Sequence, residues 1–314
     1  MRIVFMGTPQ YSANVLHTLV KQQSPGHVVA VVTPPDRRSG RGRRVEACPV
    51  KQAAQQLHLP ILQPVSLRHE DAISQIRAVA PDMIIVVAYG LILPQALLDI
   101  PQYGCLNLHP SLLPKHRGPS PVVSSIKEGD TSTGISLMLL DPGMDTGPVI
   151  GQEALPINTT DTAQTLTVRL FERGADLLIR SITPWIENTI TPQDQNDTQA
   201  TTTKKITRED GLADWTLDPL VLDRYRRAFT PWPGLYSHWD GKLIKFLETS
   251  YDTSIRSTNP PGSVLKLSSP NQGIGVVSGN GILELNTLQL EGKSAISGAD
   301  FLKGYPSIEH AILK

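Results

Sequence analysis

Met83-Ile84-Ile85-Val86-Val87-Ala88 is apolar on both faces, and no other stretch narrows the possible folds as much. Successive residues of a strand point to opposite faces, so a strand like this one needs cover on both sides. Sheets covered on both sides are mostly parallel and carry helices over each face. The start of the chain supplies the matching units. Arg2 to Met6 reads as a buried strand, Gly7-Thr8-Pro9 turns into a helix through Asn14 to Val20, and Val28 to Thr33 is a second strand. This β-α-β opening predicts an α/β fold with a Rossmann-like, mostly parallel sheet. The Gly-x-Gly-x-x-Gly fingerprint is missing after the first strand, so NAD is not expected, and no Walker-type lysine loop is present.

In open α/β sheets the chemistry sits where strands end. Cys105-Leu106-Asn107-Leu108-His109 is a short strand on which Asn107 and His109 project together. Pro110, Ser111 and Pro114 then force an irregular loop. A strand over Gly134 to Leu140 delivers a second loop, Asp141-Pro142-Gly143-Met144-Asp145-Thr146-Gly147, with two carboxylates. Taken singly, a histidine at a strand end is usually just hydrogen bonded, and an aspartate in a Gly/Pro loop is usually a turn former. Asp141, directly after its strand, suits the turn role better than Asp145 does.

At 314 residues the chain should hold about two domains. Spacing predicts helices over 49–59, 69–80 and 121–128, and a long helix capped by Asp161 with Leu166, Leu170, Leu177, Leu178 and Ile182 on one face. Residues 188–206 are polar and aperiodic, which reads as a linker. Beyond a short helix over 219–229, short strands near 236–239, 243–248, 262–267, 273–278 and 282–290 alternate with glycine turns. A small OB-like barrel is expected, and such barrels often bind nucleic acids. The predicted plan is a catalytic domain over 1–188, a linker over 189–206 and the barrel domain over 207–314.

Lys+Arg 29 balance Asp+Glu 29, so net charge announces no nucleic-acid partner. A local cluster does: Arg37, Arg38, Arg41, Arg43 and Arg44 fall within eight residues on a glycine-containing segment. Guanidinium forks suit phosphates, and arginine-rich segments commonly order on RNA. Lys204 and Lys205 at the end of the linker join this RNA-facing set. Two cysteines, Cys48 and Cys105, make neither a disulfide framework nor a zinc site, and no metal is expected. The absence of a signal-peptide pattern and of any membrane-length apolar run points to the cytoplasm.

Asn107-x-His109-x-Ser111-Leu112-Leu113-Pro114, followed by Asp145-Thr146-Gly147, resembles the signature of the folate-dependent formyltransferases. Asp214-Trp215 and Ala228-Phe229-Thr230-Pro231-Trp232-Pro233-Gly234 resemble that family's C-terminal domain, so the likeness runs from Phe5 to Leu302. The Gly-Arg-Gly-Arg core at Gly40 to Arg43 is similar to a basic insertion in the tRNA-directed members. The resemblance implies formyl transfer from 10-formyltetrahydrofolate to the α-amino group of initiator methionyl-tRNA by a monomer. It implies a tetrahydrofolate site at Ser111, Leu112, Leu113 and Pro114, with the pteridine among Val87, Tyr89, Leu91 and Ile92. It implies catalysis by Asn107, His109 and Asp145. Attack of an amine on a formamide builds an oxyanion, which Asn107 and His109 would stabilise, and loss of one such donor typically costs on the order of 10²–10³ in rate. Asp145 is expected to raise the His109 pKa and to help move protons from the amine to the leaving nitrogen.

Pro110, His116 and Pro119-Ser120-Pro121-Val122-Val123 depart from the tRNA-directed pattern on the acceptor side. Pro110 is instead usual in glycinamide ribonucleotide formyltransferases. The competing acceptors are that ribonucleotide and an amino-sugar nucleotide, against which the arginine cluster and the second domain stand. A non-catalytic RNA-binding protein on the same scaffold is opposed by the intact Asn107, His109 and Asp145.

Overall fold

The first strand, β1 (Arg2–Gly7), buries Ile3, Val4, Phe5 and Met6 completely. The chain continues through α1 (Gln10–Lys21), β2 (His27–Val32), a hairpin of β3 (Arg37–Ser39) and β4 (Arg44–Glu46), α2 (Pro49–Gln56), β5 (Ile61–Leu62) and α3 (Glu70–Ala78). Next come β6 (Met83–Val87), α4 (Gln95–Leu98), β7 (Cys105–His109), α5 (Pro121–Glu128), β8 (Ser132–Leu139), β9 (Val149–Pro156) and α6 (Ala163–Ile186). This is a computed structural model, and it describes residues 1–22, 26–39, 44–267 and 273–314.

Seven strands form one sheet in the order β5-β2-β1-β6-β7-β8-β9. Pairing is parallel from β5 to β7, and β8 and β9 are added antiparallel. The mostly parallel sheet read from Met83 to Ala88 is therefore present, with β6 near its middle and all five of its residues buried. The antiparallel strand β9 is not evident from the sequence. Its burial alternates only weakly, with Gln152 and Glu153 in mid-strand, so it carries little hydrophobic signal.

Two packing devices place the strand ends that matter for function. Ser12 and Thr8, at the start of α1, donate through their hydroxyls to Val87 O (2.6 Å) and Tyr89 O (2.9 Å), fixing the exit of β6. Gly174 lets α6 lie against β8, since a Cβ there would come within 2.5 Å of Ile135 Cδ1. The start of α6 differs from expectation. Thr162, not Asp161, caps it, accepting from Thr165 N at 3.2 Å, while Asp161 accepts from Asn158 N at 2.7 Å. Asp161 stands one residue too early, where closing the preceding turn competes with capping.

The chain divides into two compact units. The first comprises 1–121, 132–156 and 167–203, and the second 122–131, 157–166 and 204–314. The second unit thus takes in two segments from the part of the sequence assigned to the catalytic domain. Within it follow α7 (Pro219–Ala228), β10 (Leu235–Trp239), β11 (Lys242–Asp252), β12 (Val264–Lys266), β13 (Ile274–Ser278), β14 (Gly281–Leu290), β15 (Ile296–Ser297) and α8 (Gly298–Gly304). Its antiparallel sheet runs β10-β11-β14-β13-β12, with β15 on β14. The core gathers Trp215, Phe246, Leu288 and Phe301, and Trp215 meets Phe246 edge-on at 5.6 Å. Lys127 Nζ lies 5.2 Å over the Tyr225 ring, and Arg227 donates to Asp223 (2.9 Å) and to Asp161 O (3.3 Å). These contacts tie 122–131 and 157–166 to α7.

Ile85 is fully buried at the centre of β6. Ile85→Ala should lower unfolding free energy by about 2–5 kcal/mol, read as a lower denaturant midpoint at unchanged slope.

Candidate active site

β7 carries Asn107 and His109 to the C-terminal edge of the sheet, beside the end of β6, where Val86 pairs with Asn107. Leu139 ends β8, and the loop after it brings Asp145 back to the same place. Asn107, His109 and Asp145 line one cavity of about 720 Å³. The Asn107 amide is half-buried, and no hydrogen bond to it is found among the described residues. His109 is 4% exposed. Its Nε2 lies 3.0 Å from His116 O, and its Nδ1 lies 3.5 Å from Asp145 Oδ2. Asp145 sits at φ +56°, in the left-handed region, and its Oδ2 accepts from Gly118 N at 2.7 Å. Asp141 is the turn former that its position suggested: its Oδ1 accepts from Gly143 N (3.1 Å) and from Thr146 Oγ1 (2.8 Å).

Asp145 raises the His109 pKa as expected, but the depth of burial outweighs it. Burial pushes the imidazole below its ordinary 6.5, while the Asp145 charge and the His116 carbonyl push the other way without overturning it. The sequence exposed the carboxylate but not the depth of burial. Both ring nitrogens nevertheless face acceptors, which only an imidazolium can satisfy with two N–H bonds. A neutral ring favoured by burial, with a carboxylate favouring its charged form, is suited to taking up and returning one proton. The 3.5 Å gap on the Nδ1 side is longer than a made hydrogen bond, so that side can turn to a bound group.

The cavity wall is only partly the one read from sequence. Tyr89, Leu91 and Ile92 line it, with Leu91 39% and Ile92 74% exposed. Val87 is fully buried in the sheet core, and its neighbours Val86 and Ala88 face the cavity. The Tyr89 hydroxyl is buried and has no hydrogen-bond partner among the described residues, and burial pushes its pKa up to about 12. Ser111, Leu112, Leu113 and Pro114 are not part of this wall. Their loop turns inward: Leu113 N donates to Ser136 Oγ (3.1 Å), Ser136 Oγ donates to Ser111 O (2.6 Å), and Leu113 O accepts from Gln152 Nε2 (2.9 Å). Tyr11 and Phe171, stacked at 4.4 Å, complete the wall. They lie 160 residues apart, and nothing in either local sequence marks them.

Arg37 and Arg38 fall on β3 and Arg44 on β4, while Arg41 and Arg43 lie outside the described residues. Asp36, at the foot of this hairpin, pairs with Lys51 Nζ at 2.6 Å and accepts from Gln63 Nε2 at 2.9 Å. Lys204 and Lys205 are exposed.

The most consequential residues missed by sequence reading lie in the stretch taken for a linker. Gln195 donates to Asp145 O (2.9 Å) and Gly147 O (2.7 Å) and accepts from Arg117 Nε (3.0 Å). Thr201 and Thr203 bond the backbone around His116 to Ser120. Hydropathy cannot register such polar pairings. No group of three or more His, Cys, Asp or Glu that could hold a metal ion occurs among the described residues.

The sequence profile of the formyl transferase family matches residues 1–182, and that of the formyl transferase C-terminal domain matches 205–306. A Geobacter sulfurreducens protein named methionyl-tRNA formyltransferase is 40% identical over 305 residues, spanning 97% of this chain and 94% of its own. An N-formyltransferase from Helicobacter canadensis, solved with folinic acid and dTDP-3-aminofucose, shares the fold at TM-score 0.65 and 17% identity, over 90% of this chain and 98% of that one. HypX from Aquifex aeolicus, solved with tetrahydrofolic acid, does so at TM-score 0.63 and 16% identity, over 97% of this chain and 47% of that one.

Because its folded pKa lies below the unfolded value, His109 penalises folding on the acid side: stability is complete above about 6.5 and falls as pH drops towards the folded pKa. Asp145→Asn removes the opposing charge and leaves the burial. The His109 ring resonance, followed by NMR, should therefore titrate at a lower pH in Asp145→Asn than in the unsubstituted chain. A titration that moves up contradicts this balance of causes.

Proposed function

The chain belongs to the formyl transferase family, and we propose that it transfers a formyl group from 10-formyltetrahydrofolate to the α-amino group of initiator methionyl-tRNA. The observation that carries the reading is the convergence of Asn107, His109 and Asp145 on one cavity, with His109 Nδ1 3.5 Å from Asp145 Oδ2.

The donor is a flat, polar heterocycle on a flexible stem, and the cavity suits it. Its wall is largely apolar, and among the described residues the Tyr89 hydroxyl and the Asn107 amide have no hydrogen-bond partner. The folate derivative supplies the activated formyl group. The chain supplies the rest. Asn107 donates to the formyl oxygen as negative charge develops there. His109 contributes an N–H from the side facing Asp145. The Asp145–His109 pair takes the proton released by the attacking amine and returns one to the departing nitrogen.

Relatives that carry the methionyl-tRNA name at about 40% identity over almost the whole chain support the acceptor. The arginine cluster Arg37, Arg38, Arg41, Arg43 and Arg44, read from the sequence, and the exposed Lys204 and Lys205 are assigned to tRNA phosphates. The antiparallel second unit is read as an OB-like barrel that adds to the tRNA contact. A cytoplasmic monomer goes with this reading.

Formyl transfer from 10-formyltetrahydrofolate should be detected with charged initiator methionyl-tRNA and not with uncharged tRNA or a dTDP-amino sugar. His109→Ala should lower kcat by on the order of 10²-fold or more. Replacing Arg41 and Arg43 together with Ala should raise KM for tRNA and shallow its salt dependence, since each lost phosphate contact reduces the slope by roughly one. Transfer to the amino sugar instead, or an unchanged salt slope in the double variant, contradicts the acceptor assignment.

A further inference from the structure

We propose that Gln195, held in place by Arg117, is the positioning residue for Asp145. Gln195 lies outside the cavity wall and reaches the site only through the backbone of the Asp145 loop. Both hydrogens of its amide are committed, one to Asp145 O at 2.9 Å and one to Gly147 O at 2.7 Å. Its carbonyl oxygen accepts from Arg117 Nε at 3.0 Å. The amide can face only one way. A flipped amide would set its oxygen against two carbonyls and its NH₂ against a guanidinium.

Asp145 needs such a hold. It is a non-glycine residue at φ +56°, in a left-handed conformation that costs an L side chain free energy unless the surroundings support it. The same segment fixes the other end of the residue. Arg117 N donates to Thr201 O (2.8 Å) and Thr203 N donates to Arg117 O (2.7 Å), which sets Gly118 N to donate to Asp145 Oδ2 at 2.7 Å. Arg117 is nine-tenths buried, so its contact with Gln195 is shielded from solvent, and Nη2 is capped by Asp197 at 2.8 Å. Gln195 thus fixes the Asp145 backbone, Gly118 fixes the carboxylate, and the two together set the separation from His109. Misplacing a catalytic group by about 1 Å can cost on the order of 10²-fold in rate.

The kinetic arm of the test rests on the proposed formyl transfer; the spectroscopic arm does not. Gln195→Ala and Gln195→Glu, in the full chain, are compared with the unsubstituted protein. The Glu variant keeps the side-chain length and turns both donors into acceptors, so it serves if the Ala variant fails to fold. With Asp145 released, the charges and acceptors facing the His109 ring are reduced to His116 and its carbonyl. The His109 ring should then titrate at a lower pH than in the unsubstituted chain. Kinetically, kcat should fall about tenfold to a hundredfold while KM for folate and for tRNA stays within about twofold. In an Asp145→Asn background, Gln195→Ala should add no further loss. An unshifted His109 titration in a folded Gln195 variant overturns the proposal, as does a full additional loss on top of Asp145→Asn. An unsubstituted chain that transfers no formyl group overturns the proposed reaction instead, and the NMR titration still decides the role of Gln195.

Discussion

The hydrogen bond from Gly118 N to Asp145 Oδ2, at 2.7 Å, joins the two loops that flank the proposed catalytic groups. One loop leaves β7 directly after His109; the other leaves β8 and carries the carboxylate. Neither loop has regular structure to keep it in place, and each is held by bonds made elsewhere. The His109 loop is fastened from beneath by Ser136 and Gln152. The Asp145 loop is fastened from the side by Gln195 and internally by Asp141. The rigid sheet supplies the starting points, and polar networks supply the last few ångströms. This division is common in α/β proteins, where strand ends fix the position of a site and loops its chemistry.

The sheet was legible because burial on both faces leaves a plain record. Met83 to Val87 and Ile3 to Met6 could hardly be anything but inner strands, and they are. Asn107 and His109 were legible for a different reason: period-two geometry puts them side by side wherever that strand lies. What sequence could not show was tertiary in origin. Tyr11 and Phe171 meet only because α1 and α6 do. Residues 193–203 have the composition of a linker, yet Gln195, Thr201 and Thr203 spend their polar groups on the loops at 114–120 and 145–147. Ser111 to Pro114 looked like a ligand loop, and the structure turns it towards β8. The depressed His109 pKa needed the burial of the ring, which no local pattern records.

The three departures on the acceptor side now have a structural setting. Pro110, Pro119 and Pro121 all line the cavity. His116 adopts φ +57° and contributes its carbonyl to His109. Its side chain identity is therefore less consequential for His109 than its backbone conformation. Ser120 N donates to Thr203 Oγ1 at 3.0 Å, tying the acceptor-side loop to the same segment that carries Gln195.

The central claim is that His109 and Asp145 act as one proton-handling unit, and a double-mutant cycle on kcat/KM tests it most directly. His109→Ala, Asp145→Asn and the two combined would be measured with the same donor and methionyl-tRNA. The double variant should be little worse than the poorer of the two single ones. Losses that multiply in full would show instead that His109 and Asp145 act independently.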